Sequence, residues 1–322
     1  MEYYAGIDVS LKESSVCVVD ASGKIMRETK VASEPETLSQ WLHAGLTQAG
    51  FDVVLLETRQ VKAALSAMVV KTDRKDARGI AQLLRMGWFR PVHCKSLPAQ
   101  ETRALLAGRK LLQSKLLDVE FSIRGILRGF GLKVGPVSRG RFVARIRELT
   151  SGQPMLERVT EPMLRAREVL SKEFHTLHRA MLDLVRKNSL CRRLMTVPGV
   201  GAVVAITFTT TVDDPTRFGR SRTVGAHFGL TPKKYQSGET DVTGGISKVG
   251  DGMVRVALYE AANVVLTRSS RFSALKRWAL EVAKRRGLKR ARVALARKLA
   301  TVLHRTWLDG SEFRFGKEAV AA

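Results

Sequence analysis

Apolar and polar positions alternate over residues 3–9, and a second run rich in β-formers covers 15–20. Ala21-Ser22-Gly23-Lys24 is a turn signal before a third run at 25–31. The chain therefore opens as three strands joined by hairpins. Leu38, Trp41, Leu42 and Leu46 then share one face of a helix over 37–49, which Gly50 ends. The run 51–56 reads as a short buried strand, and helices follow at 60–68 and 73–86. Leu105, Leu106, Leu112, Leu116, Val119, Ile123 and Ile126 mark a long amphipathic helix over 99–130. A second long helix covers 154–187 beyond a Gly/Pro-rich break, the pattern of an antiparallel helical spacer. A compact C-terminal domain with helices at 252–267, 273–286 and 289–306 completes the order.

Charge sharpens this division. The 322 residues carry 55 Lys and Arg against 30 Asp and Glu, a net of +25, and 44% are hydrophobic. That apolar content supports real cores and excludes a purely disordered basic chain. Residues 1–95 are nearly neutral, with 13 basic and 11 acidic side chains; residues 96–322 hold 42 and 19. The extreme is 268–305, with 13 basic residues and Glu281 as the lone acid. A one-sided excess of this size predicts a polyanionic partner, most simply nucleic acid. No apolar run approaches a membrane span, and the N-terminus lacks a signal peptide's pattern, so a cytoplasmic location is expected. Cys17, Cys94 and Cys191 are too dispersed for a disulfide framework or a zinc site, and the histidines have no ligand spacing.

Three antiparallel strands, a helix, a strand and a further helix follow the order of the RNase H-like nuclease fold. Its chemistry requires clustered carboxylates around divalent ions. Asp8 lies inside the first apolar strand, where an unpartnered carboxylate is costly. Asp73 and Asp76 fall on one face at a helix start, where they repel each other and favour a shared cation. Each also has an ordinary structural explanation, as a cap or a first-turn acid.

The residues Lys71-Thr72-Asp73-Arg74-Lys75-Asp76-Ala77 closely resemble the KTDRxDA motif of the DEDD group of bacterial insertion-sequence transposases, insertion-sequence family one hundred and ten, relatives of the Piv invertase. Gly6-Ile7-Asp8-Val9-Ser10 resembles that group's opening strand. Val197-Pro198-Gly199-Val200-Gly201, Phe228-Gly229-Leu230-Thr231-Pro232, Gln236-Ser237-Gly238 and Lys248-Val249-Gly250-Asp251 resemble elements of its C-terminal domain. The resemblance implies a RuvC-like domain over 1–95, a coiled-coil spacer over 96–188 and a basic transposase domain over 189–322. It also implies Mg²⁺ at Asp8, Asp73 and Asp76, a serine nucleophile at Ser237, and an RNA that bridges target and donor DNA.

One helix–strand unit of the family pattern is missing between the opening strands and the KTD motif, with the junction near 33–37. The family's glutamate belongs to that unit. Glu34 or Glu57 is expected to replace it, with Glu57 favoured if its strand closes up beside the first. Residues 194–201 also read as a helix-hairpin-helix turn, with Gly199 and Gly201 admitting a phosphate. Lys233, Lys234 and Lys248 flank Ser237, and Arg285, Arg286 and Arg290 lie on basic helices; all are candidate nucleic-acid contacts. Trp278 and Trp307 read as core. The resulting expectation is a DNA transposase acting as a dimer or tetramer. A RuvC-like endonuclease and an inactive, internally deleted copy that only binds nucleic acid are the rivals.

Overall fold

A computed structural model describes residues 2–10, 12–32, 40–269 and 271–315, which divide into two compact units, Met1–Lys95 and Ser96–Ala322. The first unit runs β1 (Tyr3–Asp8), β2 (Glu13–Asp20), β3 (Ile25–Ala32), α1 (Gln40–Gln48), β4 (Leu55–Leu56), α2 (Thr58–Leu65), α3 (Asp73–Arg85) and β5 (Pro91–Val92). The three opening strands form an antiparallel sheet in the order β1-β2-β3, as their alternation predicts.

Burial along β2 alternates so that Ser15, Cys17 and Val19 lie inside. Their partners on β1 are Asp8, Gly6 and Tyr4. Directly opposed side chains share a face, so these six positions form one surface. Ala77 and Ala81 of α3 pack on it with Cys17 and Val19. The approach is very close at Gly6, where a Cβ would lie 2.1 Å from the Ala77 carbonyl oxygen and 2.4 Å from the Ala81 nitrogen. Glycine at position 6 and alanines on the helix let the backbone of α3 rest directly on β1.

The expected strand over 51–56 is reduced to Leu55 and Leu56. It pairs antiparallel with β5, Leu55 opposite Val92 and Leu56 opposite Pro91, and not with β1. An apolar run alone does not specify its partner strand. Pro91 lacks an N–H to extend the ladder. Among the described residues β1 pairs with β2 alone. The 33–37 junction and Glu34 lie outside the described residues.

The second unit contains α4 (Leu97–Gly129), α5 (Phe142–Thr150), α6 (Pro154–Lys187), α7 (Ser189–Leu194), α8 (Ala202–Val212), α9 (Ser221–His227), β6 (Pro232–Ser237), β7 (Thr240–Ile246), α10 (Gly252–Thr267), α11 (Ala274–Arg286) and α12 (Leu288–Asp309). The long α4 and α6 run antiparallel, as two cross-links show. Arg109 Nε donates to His178 Nδ1 at 3.1 Å, and Arg167 Nε donates to Glu120 Oε1 at 2.8 Å. One end of this pair forms a core with α5 around Ile123, Leu127, Phe142 and Ile146. At the other end Leu106, Met181 and Val185 enter the core of the C-terminal helices. Packing is therefore continuous across residues 188 and 189. Trp278 and Trp307 pack against this core, with Lys298 Nζ 4.1 Å above the Trp278 ring.

Substituting Gly6→Ala forces α3 off β1 and is expected to destabilise the first unit by about 1–3 kcal/mol. Urea unfolding of the full chain, followed by a probe in the first unit, measures this.

Candidate active site and nucleic-acid surface

The contact at Gly6 brings Asp8, at the end of β1, beside the first turn of α3. The cap of that helix is Thr72, whose hydroxyl accepts from the Lys75 N–H at 3.2 Å. Thr72 satisfies the helix end, so neither Asp73 nor Asp76 is needed as the cap. Burial raises the Asp8 carboxyl above its usual pKa, and the negative charges of Asp76 and Asp73 raise it further, against an opposing pull from Lys71. Lys71 Nζ lies 3.2 Å from Asp76 Oδ2, but its side chain is 80% exposed, which makes the pair weak. Among the described residues no group of three His, Cys, Asp or Glu is arranged to hold a metal ion as it stands. The donor chemistry nonetheless suits a hard cation: the negative charges of Asp76 and Asp73 act on the Asp8 carboxylate, and the buried Ser15 hydroxyl beside Asp8 has no hydrogen-bond partner.

Arg74 of the KTDRxDA segment and Arg78 just beyond it serve as fasteners. Arg74 and Arg78 both clamp Glu28 on β3, with Arg74 Nε and Arg78 Nη2 each 2.7 Å from Glu28 Oε2. The Arg78 hydrogen bond, then the Arg74 hydrogen bond and both charges, outweigh desolvation and hold the Glu28 carboxyl at a pKa of about 2. Sequence reasoning missed Glu28. Its only signal is its place on a strand preceding a helix with arginines at i and i+4.

Glu57 is not drawn into this group. It is the N-cap residue of α2, its carboxylate is 3.6 Å from Arg59 Nε, and its backbone N–H donates to Arg90 O. The groups acting on Asp8 are Asp76, Asp73 and Lys71. The condition for bringing Glu57 to Asp8 was a β4 strand paired with β1, and β4 pairs with β5 instead.

Ser237 ends β6 at the tip of a hairpin that the helix-dominated sequence reading did not anticipate. Gly238, at φ +54°, turns the chain, and Ser237 pairs with Thr240. Nearly every residue of the hairpin is exposed. The base of the hairpin is closely packed. A Cβ at Gly229 would meet Val249 O at 2.3 Å, and one at Gly250 would meet His227 O at 2.2 Å. Lys248 adopts a left-handed φ of +56°, and its N–H donates to Gly229 O at 3.1 Å. Asp251 caps α10 through the N–H groups of Met253 and Val254 and is ion-paired with Arg103 of α4. The FGLTP and KVGD elements are thus two halves of one interlocked turn.

The PGxG glycines divide between two roles. Gly199, at φ +78°, is packed on α10, where a Cβ would lie 2.4 Å from Ala261 O. Its backbone is committed to the core, and α8 is buried from Val204 to Val212. Gly201, the exposed N-cap residue of α8, is left at the surface. Lys233 is exposed, and Lys234 pairs across the hairpin with Asp241 at 3.1 Å. Arg285, Arg286 and Arg290 are exposed around the Gly287 corner between α11 and α12 and have no carboxylate partner among the described residues. A cleft of about 370 Å³ between α9 and α12 adds Arg220, Arg222 and Arg305, with Asp309 at its edge. His304, which lacked any sequence signal, is fully buried and joins Ser221 Oγ to the Pro215 carbonyl oxygen.

A family model for DEDD transposases of the IS110 type matches residues 31–131, and one described as the transposase IS116/IS110/IS902 family matches residues 191–279. The first match begins within β3, so the position of Asp8 rests on the geometry above. The chain is 28% identical to the transposase for insertion sequence element IS1111A of Coxiella burnetii, over 92% of this chain and 87% of the relative. It is 25% identical to the IS1328 transposase of Yersinia enterocolitica, over 88% and 85%. A probable family 20 transposase of Pseudomonas aeruginosa is 27% identical, over 80% and 78%. The protein is a transposase, an enzyme class that processes DNA. It belongs to the IS110 family of insertion-sequence transposases. No helix among the described residues is long and apolar enough to cross a membrane.

The Glu28 clamp has a defined pH dependence. With its pKa depressed from 4.5 to about 2, Glu28 contributes stability that is fully present above pH 4.5 and lost as pH falls toward 2. Wild type is therefore expected to exceed Glu28→Gln in stability at neutral pH. That lead should vanish between pH 4.5 and 2 in urea titrations of the two full-length proteins.

Proposed function

We propose that this transposase cuts and rejoins DNA strands at a Mg²⁺ site built from Asp8, Asp73 and Asp76, with Ser237 as the nucleophile. The observation that carries the reading is the contact of α3 with β1 at Gly6, through which Asp76 and Asp73 act on Asp8. Mg²⁺ bound there would stabilise charge developing on a phosphodiester. Lys71 is exposed enough to release Asp76, and Thr72 holds the helix end without using either aspartate. The three-stranded sheet with a helix on one face supports an RNase H-like reading of residues 1–95.

Ser237 projects from an open hairpin tip, which suits a group that must reach a phosphate. Its oxygen forms the new bond to phosphorus, and the departing sugar oxygen takes up the proton. The serine–DNA bond conserves the phosphodiester until a hydroxyl of the incoming strand displaces it. Lys233 and Lys248 offset charge on that phosphate. Gly201, Arg285, Arg286 and Arg290 belong to the basic surface that holds DNA and a bridging RNA. Residues 96–188 supply long helices that share a core with the basic region at 189–322. Exchange among several DNA ends calls for a dimer or tetramer.

Incubation with insertion-end DNA and Mg²⁺, followed by denaturing electrophoresis, tests the reading. Wild type is expected to form a covalent adduct that Ser237→Ala lacks. Asp8→Asn is expected to reduce cleavage by about a hundredfold or more. Glu57→Gln should match wild type. Cleavage with no adduct in any sample selects a hydrolytic nuclease. Retained DNA binding with no Mg²⁺-dependent cleavage selects an inactive copy.

A further inference from the structure

Ser15 is 2% exposed, and its hydroxyl has no hydrogen-bond partner. An orphaned buried hydroxyl costs stability, and alanine at the same place would not carry that cost. Ser15 is also directly opposite Asp8 in the β1–β2 register. The two side chains share the face on which α3 packs, in line with Gly6 opposite Cys17 and Tyr4 opposite Val19. Opposed residues have Cβ atoms about 4.5–5.5 Å apart, close enough for a serine hydroxyl to meet a carboxylate oxygen after side-chain rotation. Ser15 is therefore a buried donor held in reserve beside the acid at the centre of the candidate site.

We propose that Ser15 is a positioning residue for Asp8, its hydroxyl donating to one carboxylate oxygen while the other is turned toward a divalent cation. This rests on the reading of Asp8 as a metal ligand. A group that orients a ligand acts through the geometry of the site, and removing it weakens metal binding without removing a ligand. In the metal-free protein the same hydroxyl contributes no bond, so its loss carries no stability cost there. A purely structural serine behaves in the opposite way.

The test uses the full-length protein, Mn²⁺ alone as probe, calorimetric titration for affinity and thermal unfolding in metal-free buffer. Ser15→Ala is expected to bind Mn²⁺ about tenfold more weakly or worse, with a metal-free Tm equal to or above that of wild type. Ser15→Thr, which keeps the hydroxyl on a strand-compatible side chain, is expected to recover affinity. Unchanged affinity in Ser15→Ala overturns the proposal, as does a fall in its metal-free Tm. Asp8→Asn separates the two levels of the argument. If Asp8→Asn abolishes Mn²⁺ binding and Ser15→Ala does not weaken it, Ser15 alone is excluded. If Asp8→Asn binds as wild type does, the assignment of Asp8 fails and Ser15 falls with it.

Discussion

The close approach of α3 to β1 at Gly6 is the constraint on which the candidate site depends. Any side chain at position 6 would meet the helix backbone. Because none is there, Ala77 and Ala81 settle on the sheet and the start of α3 lies alongside Asp8. Burial, then the negative charges of Asp76 and Asp73, raises the proton affinity of Asp8, which is the electrostatic condition under which a cation is attractive. Glu28 keeps the helix from sliding by gripping Arg74 and Arg78, one and five residues beyond Asp73. A single segment of sequence thus carries two acids of the candidate site, with two arginines and two alanines to hold them in place.

The second unit uses the same economy of space. Gly199 lies on the backbone of α10, and Gly229 and Gly250 interleave with Val249 and His227. These glycines belong to the elements that resemble the family, and their work is close backbone packing. What such packing leaves at the surface is the hairpin with Ser237 and the basic corner at Arg285, Arg286 and Arg290. Closely packed turns beneath an open tip suit a nucleophile that must be presented to a large polyanion. The Arg103–Asp251 pair extends this support to the long helix α4.

Much of this was legible in the sequence. Alternation located β1, β2 and β3, and helical periodicity located α3, α4, α6, α10, α11 and α12 nearly to their ends. Asp8 stood out as a carboxylate inside an apolar strand, and Asp73 and Asp76 as like charges on one face at a helix start. The β6–β7 hairpin did not stand out, because both its faces are wet and neither carries the apolar alternation that betrays a half-buried strand. Glu28 and Ser15 were equally silent. Each is significant only for what packing sets beside it: Arg74 and Arg78 of α3 for Glu28, Asp8 on the neighbouring strand for Ser15.

The amino-acid order by itself determined the division into a neutral part and a basic part, the periodic elements and the candidate residues for chemistry. These are properties of local spacing and composition. Which strand accompanies β4, whether Glu57 reaches Asp8, and which buried hydroxyl is left without a partner were decided by the tertiary structure. Strand pairing is a contest between distant segments for the same backbone hydrogen bonds, and it is settled by packing that local sequence does not contain.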